Sequence, residues 1–280
     1  MPAIAMFSRQ SIIGVMAKRG LLSCGALSAH CHDLVHCCCS SAALEFGPDT
    51  ISSARSQTNI PLHAVPGRRS IPTTKWVLRS EMQPQILDDV HLFWFGPVPD
   101  FASFNDDRFS LWFGGGRDAE IAGLFSAALA EADGAAIDVA VLTPSQQTGL
   151  VVLLDQFPRS IFRGEARSYS FDEKARGVVK VATAGGMQPF KLVERAFLTI
   201  CLGHSEHLDD QERALRYYVE DVGPFAPAGN RFYEAGGIQT AKYLDIIRRF
   251  GRFPHRNAIL GRETSAEEAQ FLAENSMAPF

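Results

Sequence analysis

Two short stretches of the chain carry more ionisable and hydrogen-bonding side chains than a helix end requires. The first is DQFPR (155–159), which is followed by Arg163, and the second is FGRFPHRN (250–257). Guanidinium groups bind carboxylates and phosphates with two parallel hydrogen bonds, so such stretches favour an anionic ligand. The candidate ligand-binding residues are Gln156, Arg159, Arg163, Arg252, Arg256 and Asn257. We expect the two stretches to face each other.

A histidine next to a carboxylate can act as a general acid and base, and the chain offers such pairs. The stretch HSEH (204–207) places a histidine close to a glutamate, and both stretches described above add a further titratable group. The candidate catalytic residues are Asp155, His204, Glu206 and His255. These residues would let the protein act on an anionic substrate that the arginines orient.

The spacing of His204 and His207 also makes a metal site conceivable. However, the stretch immediately precedes a helical pattern that opens with several acids. Ser205 and these acids are typical of the capping of a helix N-terminus. We therefore predict neither a metal site nor a cofactor.

The arginine-rich stretches have a purely structural interpretation as well. Residues 82–280 contain 15 arginines and 4 lysines among many acids. Arginines beside Asp155, Glu206 and Asp210 would then form buried ion pairs that fix the packing of helices, without binding any ligand. Binding module, enzyme and structural network remain open interpretations at this point.

From Met82 onward, apolar side chains recur at helical spacing almost throughout. Only VLRS (77–80) and AAIDVAVLT (135–143) have β-leaning compositions. The sequence therefore predicts an all-α domain of about eight helices, either closed into a bundle or stacked as helix pairs. No strict self-similarity supports a regular repeat array.

Glycine and proline predict where several helices end. Gly251 should end the helix before it, and Pro254 should prevent the helix from resuming. Pro158 lacks the N–H that continues a helix, so it predicts an end near Phe157. Asp172 is a plausible N-terminal cap for the next helix.

Charge and hydropathy exclude some classes of partner. The net charge is −4, yet residues 1–81 carry 8 Lys and Arg against 4 Asp and Glu, so the rest of the chain is acidic. An acidic domain argues against a nucleic-acid partner, which requires a basic surface. No stretch approaches about 18 uninterrupted apolar residues, so no membrane span is predicted.

Residues 1–81 are predicted to lie outside the folded domain, which we place at 82–280. The first 32 residues contain Arg9, Lys18 and Arg19 but no acid, as an organelle transit peptide does. A secretory signal and an extension without structure are the alternatives. After residue 39 the chain has a single cysteine, Cys201, which indicates a reducing compartment. We expect a cytoplasmic protein, or an organellar one if residues 1–81 are a transit segment.

Four motifs together resemble a bacterial family known as DUF924. They are LFWFG (92–96), LLDQFPRSIFRG (153–164), HSE (204–206) and FGRFPHRNAILGRE (250–263), and the resemblance extends from about Ile86 to Glu274. It implies one α-helical domain similar to tetratricopeptide repeats, that is, stacked antiparallel helix pairs. The family's recurring polar positions coincide with the candidates named above and add Gln211. Ser160, His207 and Tyr243 depart from the family's pattern.

The resemblance implies no activity. The residues favour a helical domain whose Arg, His and Asp side chains bind an anionic small molecule or an acidic peptide. The alternative is an enzyme in which a histidine and a carboxylate exchange protons with an anionic substrate.

Overall fold

The computed structural model describes residues 82–97 and 105–275, and these residues are helical with no β-strand. The helices are α1 (Pro84–Phe95), α2 (Asp106–Phe113), α3 (Asp118–Gly134), α4 (Pro144–Val151), α5 (Phe157–Ile161), α6 (Asp172–Ala182), α7 (Leu192–Gly203), α8 (Leu208–Tyr217), α9 (Arg231–Phe250) and α10 (Ala266–Glu274). Two π-helical turns, Val152–Gln156 and Tyr218–Val222, follow α4 and α8. The predicted all-α class is confirmed.

Helices pack both against their neighbours along the chain and against helices further away in sequence. α1 contacts α4, α4 contacts α6, and α7, α8 and α9 contact one another. A methyl group at Gly149 would overlap the backbone oxygen of Leu87, so glycine is needed where α1 and α4 cross. This packing is compatible with stacked helix pairs, and the tetratricopeptide-like arrangement stays a prediction.

One helix was not predicted: α2 has only eight residues, too few for a clear period of apolar side chains. The β-leaning stretch 135–143 contains a short 3-10 turn, Val139–Val141, in agreement with the all-α prediction. A strand there would need a pairing partner, and the described residues provide none.

Pro158 does not end its helix as predicted. The chain continues helically from α4 through the π turn Val152–Gln156 into α5, where Pro158 occupies the first turn. The Phe157 N–H bonds to the oxygen of Val152, five residues earlier, so the helix is widened just before the proline. The wider turn relieves the clash of the ring with the preceding carbonyl, and a first-turn position tolerates the missing N–H.

The core is largely aromatic. Trp94 packs edge to face against Phe157 and Phe197 with ring centroids 5.6 and 5.8 Å apart, and the indole nitrogen of Trp112 donates to the Trp94 oxygen at 3.0 Å. A second, smaller cluster connects the C-terminal half of α9 with α10. Its buried members are Tyr243, Ile246, Ile247, Phe253 and Phe271. This second cluster supports the 3-10 turn Pro254–Arg256 within the second polar stretch.

Helix α9 ends as expected, because Gly251 adopts a left-handed conformation with φ of 68° and its N–H caps Ile247. Asp172 is not an N-terminal cap, since α6 begins at Asp172 itself and its carboxylate binds Arg159 instead. In the described residues no helix is long and apolar enough to cross a membrane. The extension predicted for residues 1–81, with its transit-peptide interpretation, lies outside the described residues.

Candidate functional site

The two polar stretches meet at the carboxylate of Asp172. Arg159 donates from both terminal nitrogens to Asp172, at 2.9 and 3.0 Å. Arg256 approaches the same carboxylate, with Nη1 at 3.7 Å from Oδ2. Arg159 comes from α5, Asp172 begins α6, and Arg256 ends the turn Pro254–Arg256, so three elements converge on one partly buried carboxylate.

A second buried contact joins Asp155 to His204. His204 Nδ1 lies 2.9 and 3.1 Å from the two carboxylate oxygens of Asp155. The π turn carries Asp155, and His204 caps the C-terminus of α7. Gln156 Nε2 donates to the same carboxylate at 2.6 Å, and Arg159 Nη1 is 3.1 Å from its Oδ1. The ring of Tyr169 lies beside both Arg159 and Arg256. We call the following six residues the Asp172 cluster: Asp155, Arg159, Tyr169, Asp172, His204 and Arg256.

The charges in the Asp172 cluster decide the protonation of His204. Burial alone would raise the pKa of Asp155, but Arg159 and His204 lower it below its usual range, so the carboxylate is ionised. Burial, followed by the charge of Arg159, lowers the pKa of His204. A carboxylate only accepts hydrogen bonds, so the neutral imidazole carries its proton on Nδ1. Its Nε2 is then the atom that can take up a proton.

Arg256 is buried without the hydrogen bonds that a guanidinium normally makes. Its carbon Cζ lies 4.6 Å from the ring centroids of both Tyr169 and Phe253, so aromatic rings stack on it. The residue is 4% exposed, and its Nε has no partner. Within the described residues its nearest acidic group is the Asp172 carboxylate, too distant for a hydrogen bond.

Two further donors beside Arg256 also lack partners. Arg159 Nε and Tyr169 Oη are both buried without a hydrogen bond to any described residue. The Cζ atom of Arg159 is 5.7 Å from the same Tyr169 ring that stacks on Arg256. Burial, followed by the charge of Arg159, lowers the pKa of Arg256. Three neighbouring residues of the Asp172 cluster, Arg159, Tyr169 and Arg256, thus each have a buried atom without a hydrogen-bond partner.

His255 lies next to the Asp172 cluster, and two members of the cluster, Arg256 and His204, influence its titration. Its ring is 5.4 Å from that of Phe253, and burial, followed by the charge of Arg256, lowers its pKa to about 3. His204, Glu206 and Arg262 are also near enough to influence its titration. His255 is therefore neutral at physiological pH.

Glu206 is engaged in fixing the second polar stretch. It accepts from Arg262 at 2.7 and 3.0 Å and from the backbone N–H of Phe253 at 2.8 Å. Burial would raise its pKa, but the hydrogen bonds from Arg262 and Phe253 lower it. Glu206 thus anchors the turn that presents Arg256.

Four other candidate residues make their side-chain hydrogen bonds to residues outside the Asp172 cluster. Arg252 binds Glu268 at 2.7 and 2.9 Å, and Arg163 binds Asp118 at 2.5 and 3.0 Å. Gln211 donates to the backbone oxygens of Gly203 and Ser205, at 2.7 and 2.6 Å. Asn257 donates to Thr264 at 3.4 Å. The ligand-binding role of these four residues stays a prediction.

The structure also bears on metal binding and on nucleophilic attack by a cysteine. His207 is exposed, and no group of metal-binding side chains occurs in the described part of the chain. Burial, followed by the charges of Asp155 and Asp172, raises the pKa of the Cys201 thiol well above its usual range. Cys201 is consequently a thiol at neutral pH and unsuited to attack a substrate.

Sequence reasoning missed two members of the Asp172 cluster. Asp172 was interpreted as a helix cap, and Tyr169 stands in a link between helices with no signal of its own. Tyr169 follows Arg163 and Arg167 closely, so the density of arginines around it was the one available indication.

Comparison with known proteins assigns the chain to a family. The model of the family described as "Bacterial protein of unknown function (DUF924)" matches residues 90–276, and the chain belongs to this family. All six residues of the Asp172 cluster fall within the matched range.

One solved structure is similar as well. It is the protein of unknown function ATU0120 from Agrobacterium tumefaciens, which is 32% identical; the match covers 68% of this chain and 98% of that one, with a TM-score of 0.49. No match was found among the curated proteins.

Proposed function

We propose that the protein binds an anionic small molecule at the Asp172 cluster through Arg256, Arg159 and Tyr169. The observation that carries the proposal is the buried guanidinium of Arg256, which makes no hydrogen bond with the described residues. A buried donor without a partner costs about 1–3 kcal/mol, and more when it is charged. An anion would supply the missing acceptors.

The surroundings of Arg256 favour a ligand over a simple ion-pair network. Asp172 already accepts two hydrogen bonds from Arg159, so Arg256 acts on it through charge alone and its own hydrogen-bond donors remain unused. The rings of Tyr169 and Phe253 stack on Arg256 and hold it in place, and Glu206 fixes the turn that carries it. Binding groups held rigid in this way lose little entropy when a ligand arrives.

The burial of the site favours a small molecule over an acidic peptide. Arg256 is 4% exposed, so only the end of a peptide could reach it. Mass spectrometry of compounds released from the purified, denatured protein tests the proposal and separates the two ligands. We expect an anionic compound with the wild type and with Arg249→Met, a control that removes an exposed arginine paired with Glu267. Arg256→Met should release none, and identical compounds from all three proteins would contradict the proposal.

The contact between Asp155 and His204 favours a second candidate, an enzyme. Asp155 would keep the proton on Nδ1, so that Nε2 of His204 serves as general base toward a substrate held by Arg256. His204→Gln retains a donor toward Asp155 but has no titratable group. An enzyme with this substitution should co-purify with unconverted substrate, which differs from the compound released by the wild type. The same compound in both proteins would indicate that the protein binds this compound without converting it.

The site of action that we propose is the cytoplasm. The buried thiol of Cys201 and the lack of any other cysteine after residue 39 suit a reducing compartment. An organelle is the alternative if residues 1–81 are a transit segment. Sequencing the N-terminus of the protein isolated from its own cells distinguishes the two, because a transit segment would be removed.

A further inference from the structure

We propose that the ligand presents a carboxylate, with one negative charge, to the Asp172 cluster, and not a doubly charged phosphate. This inference rests on the proposed function, since it specifies which anion the unpaired donors receive. It follows from the sum of charges around Arg256 and from the number of donors that lack partners.

The formal charges around Arg256 already cancel. Asp155 and Asp172 are balanced by Arg159 and Arg256, which lie within the same set of contacts. The neighbouring pair Glu206 and Arg262 is also neutral as a whole. His204 and His255 have lowered pKa values, so they add no positive charge at neutral pH. The net charge of the occupied site therefore equals the charge of the anion that binds.

A single negative charge is far easier to bury than a double one. The cost of transferring an ion from water into a medium of low dielectric constant rises with the square of its charge, and for one charge it is already several kcal/mol. Asp155 and Asp172 would also repel a dianion, and ion pairs with Arg159 fix the positions of both carboxylates. A site built for a dianion would carry surplus cations, and this site does not.

The unpaired donors match the acceptor capacity of a carboxylate. A carboxylate has two oxygens with about four lone-pair sites and accepts two parallel hydrogen bonds from one guanidinium. Arg256 can provide such a pair, and Arg159 Nε and Tyr169 Oη provide one further donor each. Four lone-pair sites are then filled, whereas a phosphate would leave oxygen atoms without partners in a buried site.

Two matched pairs of probes test the assignment by thermal unfolding at pH 8. The pairs are acetate with methyl phosphate and benzoate with phenyl phosphate, at an ionic strength held constant with chloride. The second pKa of a phosphate is about 6, so both phosphates are dianions under these conditions. We expect at least one carboxylate to raise the Tm of the wild type and of Arg249→Met, and its phosphate partner to have a smaller effect.

Two variants connect the effect to the site. Arg256→Met should abolish the stabilisation by the carboxylate. Tyr169→Phe, which removes one hydroxyl and keeps the ring that stacks on Arg256, should weaken carboxylate binding about tenfold, as expected for one hydrogen bond to a charged group.

The outcomes separate this inference from the proposed function. A larger Tm increase with a phosphate, lost in Arg256→Met, would overturn the carboxylate assignment and leave anion binding in place. No response to any of the four probes would overturn both. An equal response to a carboxylate in the wild type and Arg256→Met would place its binding elsewhere and would likewise overturn both.

Discussion

The guanidinium groups of Arg159 and Arg256, which come from widely separated parts of the chain, lie at one carboxylate but interact with it unequally. Arg159 makes two hydrogen bonds of 2.9 and 3.0 Å to Asp172, whereas Arg256 stays at 3.7 Å. The first arginine has the contacts of a structural ion pair, whereas the second makes no hydrogen bond to the described residues. Opposite effects on stability should follow from replacing them.

Replacing Arg159 should destabilise the protein strongly. In Arg159→Met, Asp155 and Asp172 would lose the cation that both contact. Removing one partner of a buried ion pair typically costs about 3–5 kcal/mol, because the remaining charge has no compensation. Urea unfolding followed by circular dichroism measures this loss. A change below about 1 kcal/mol would show that these carboxylates do not depend on Arg159.

Replacing Arg256 should leave stability unchanged or increase it. Arg256→Met removes buried donors without partners, while Asp172 keeps both hydrogen bonds from Arg159. The thioether can still contact the rings of Tyr169 and Phe253. Removing a buried donor that has no partner recovers its desolvation cost of about 1–3 kcal/mol, which offsets the loss of the 3.7 Å charge contact with Asp172. If the same urea experiment instead gave a loss similar to that of Arg159→Met, Arg256 would be part of a structural network.

Replacing Arg252 should affect the fold and leave anion binding intact. Its contacts are to Glu268 in α10 and to the backbone oxygen of Glu263, away from the Asp172 cluster. Arg252→Met would remove the cation beside Glu268, whose pKa is lowered to about 2, chiefly by Arg252. We expect a lower Tm but the same Tm increase on adding the carboxylate that stabilises the wild type. If the carboxylate no longer raised the Tm while α10 was still folded, Arg252 would have to contribute to anion binding.

The imidazole of His204 should be neutral at pH 7, with its proton on Nδ1. The ionised carboxylate of Asp155 accepts from Nδ1, and burial together with Arg159 lowers the pKa of the ring. Nitrogen-15 NMR of the histidine side chains distinguishes the two neutral tautomers and the cation. A proton on Nε2 alone would mean that Asp155 does not orient His204, and the enzyme candidate would lose its base.

Acid should destabilise the wild type partly through His255. An unfolded histidine titrates near pH 6.5, and in the folded protein the pKa of His255 is about 3. The unfolded chain binds this proton more tightly than the folded protein does. The stabilisation that neutral His255 gives the folded protein is therefore fully present above about pH 6.5, and it is lost as the pH falls toward the folded-state pKa of about 3.

The variant His255→Gln should therefore lose less stability than the wild type between about pH 6.5 and 4.5, with a slope difference of up to about 1.4 kcal/mol per pH unit. Unfolding free energies measured across this range test the expectation. His207→Gln is the control, because His207 is exposed. Equal slopes for the wild type and His255→Gln would show that His255 accepts a proton in the folded state.

Local features of the fold could be predicted, because they depend on a few neighbouring residues. Gly251 ends α9 since the left-handed conformation suits glycine, whatever else the chain does. Pro158 was misjudged because its effect depends on a π turn, and apolar spacing does not report a turn widened by one residue. Helix α2 was missed because eight residues give too short a pattern.

The composition of the site could be predicted only in part. Arginines and acids in two stretches indicated where polar contacts would form, but which arginine pairs with which acid depends on the packing of α5, α6 and the turn Pro254–Arg256. Arg252 and Arg256 are close in sequence and look equivalent there. In the structure Arg252 contacts α10 while Arg256 is buried between aromatic rings.

The π turn Val152–Gln156 makes the site sensitive to the length of a helix. Deleting Val152, which precedes the motif LLDQFPRSIFRG, would restore an ordinary α-helix, and each residue of an α-helix turns the chain by about 100°. Asp155 and Arg159 would then no longer face His204 and Asp172 together, although every motif residue was still present. Among relatives aligned to this chain, a one-residue gap between α4 and α5 would therefore mark loss of the site more reliably than any single substitution.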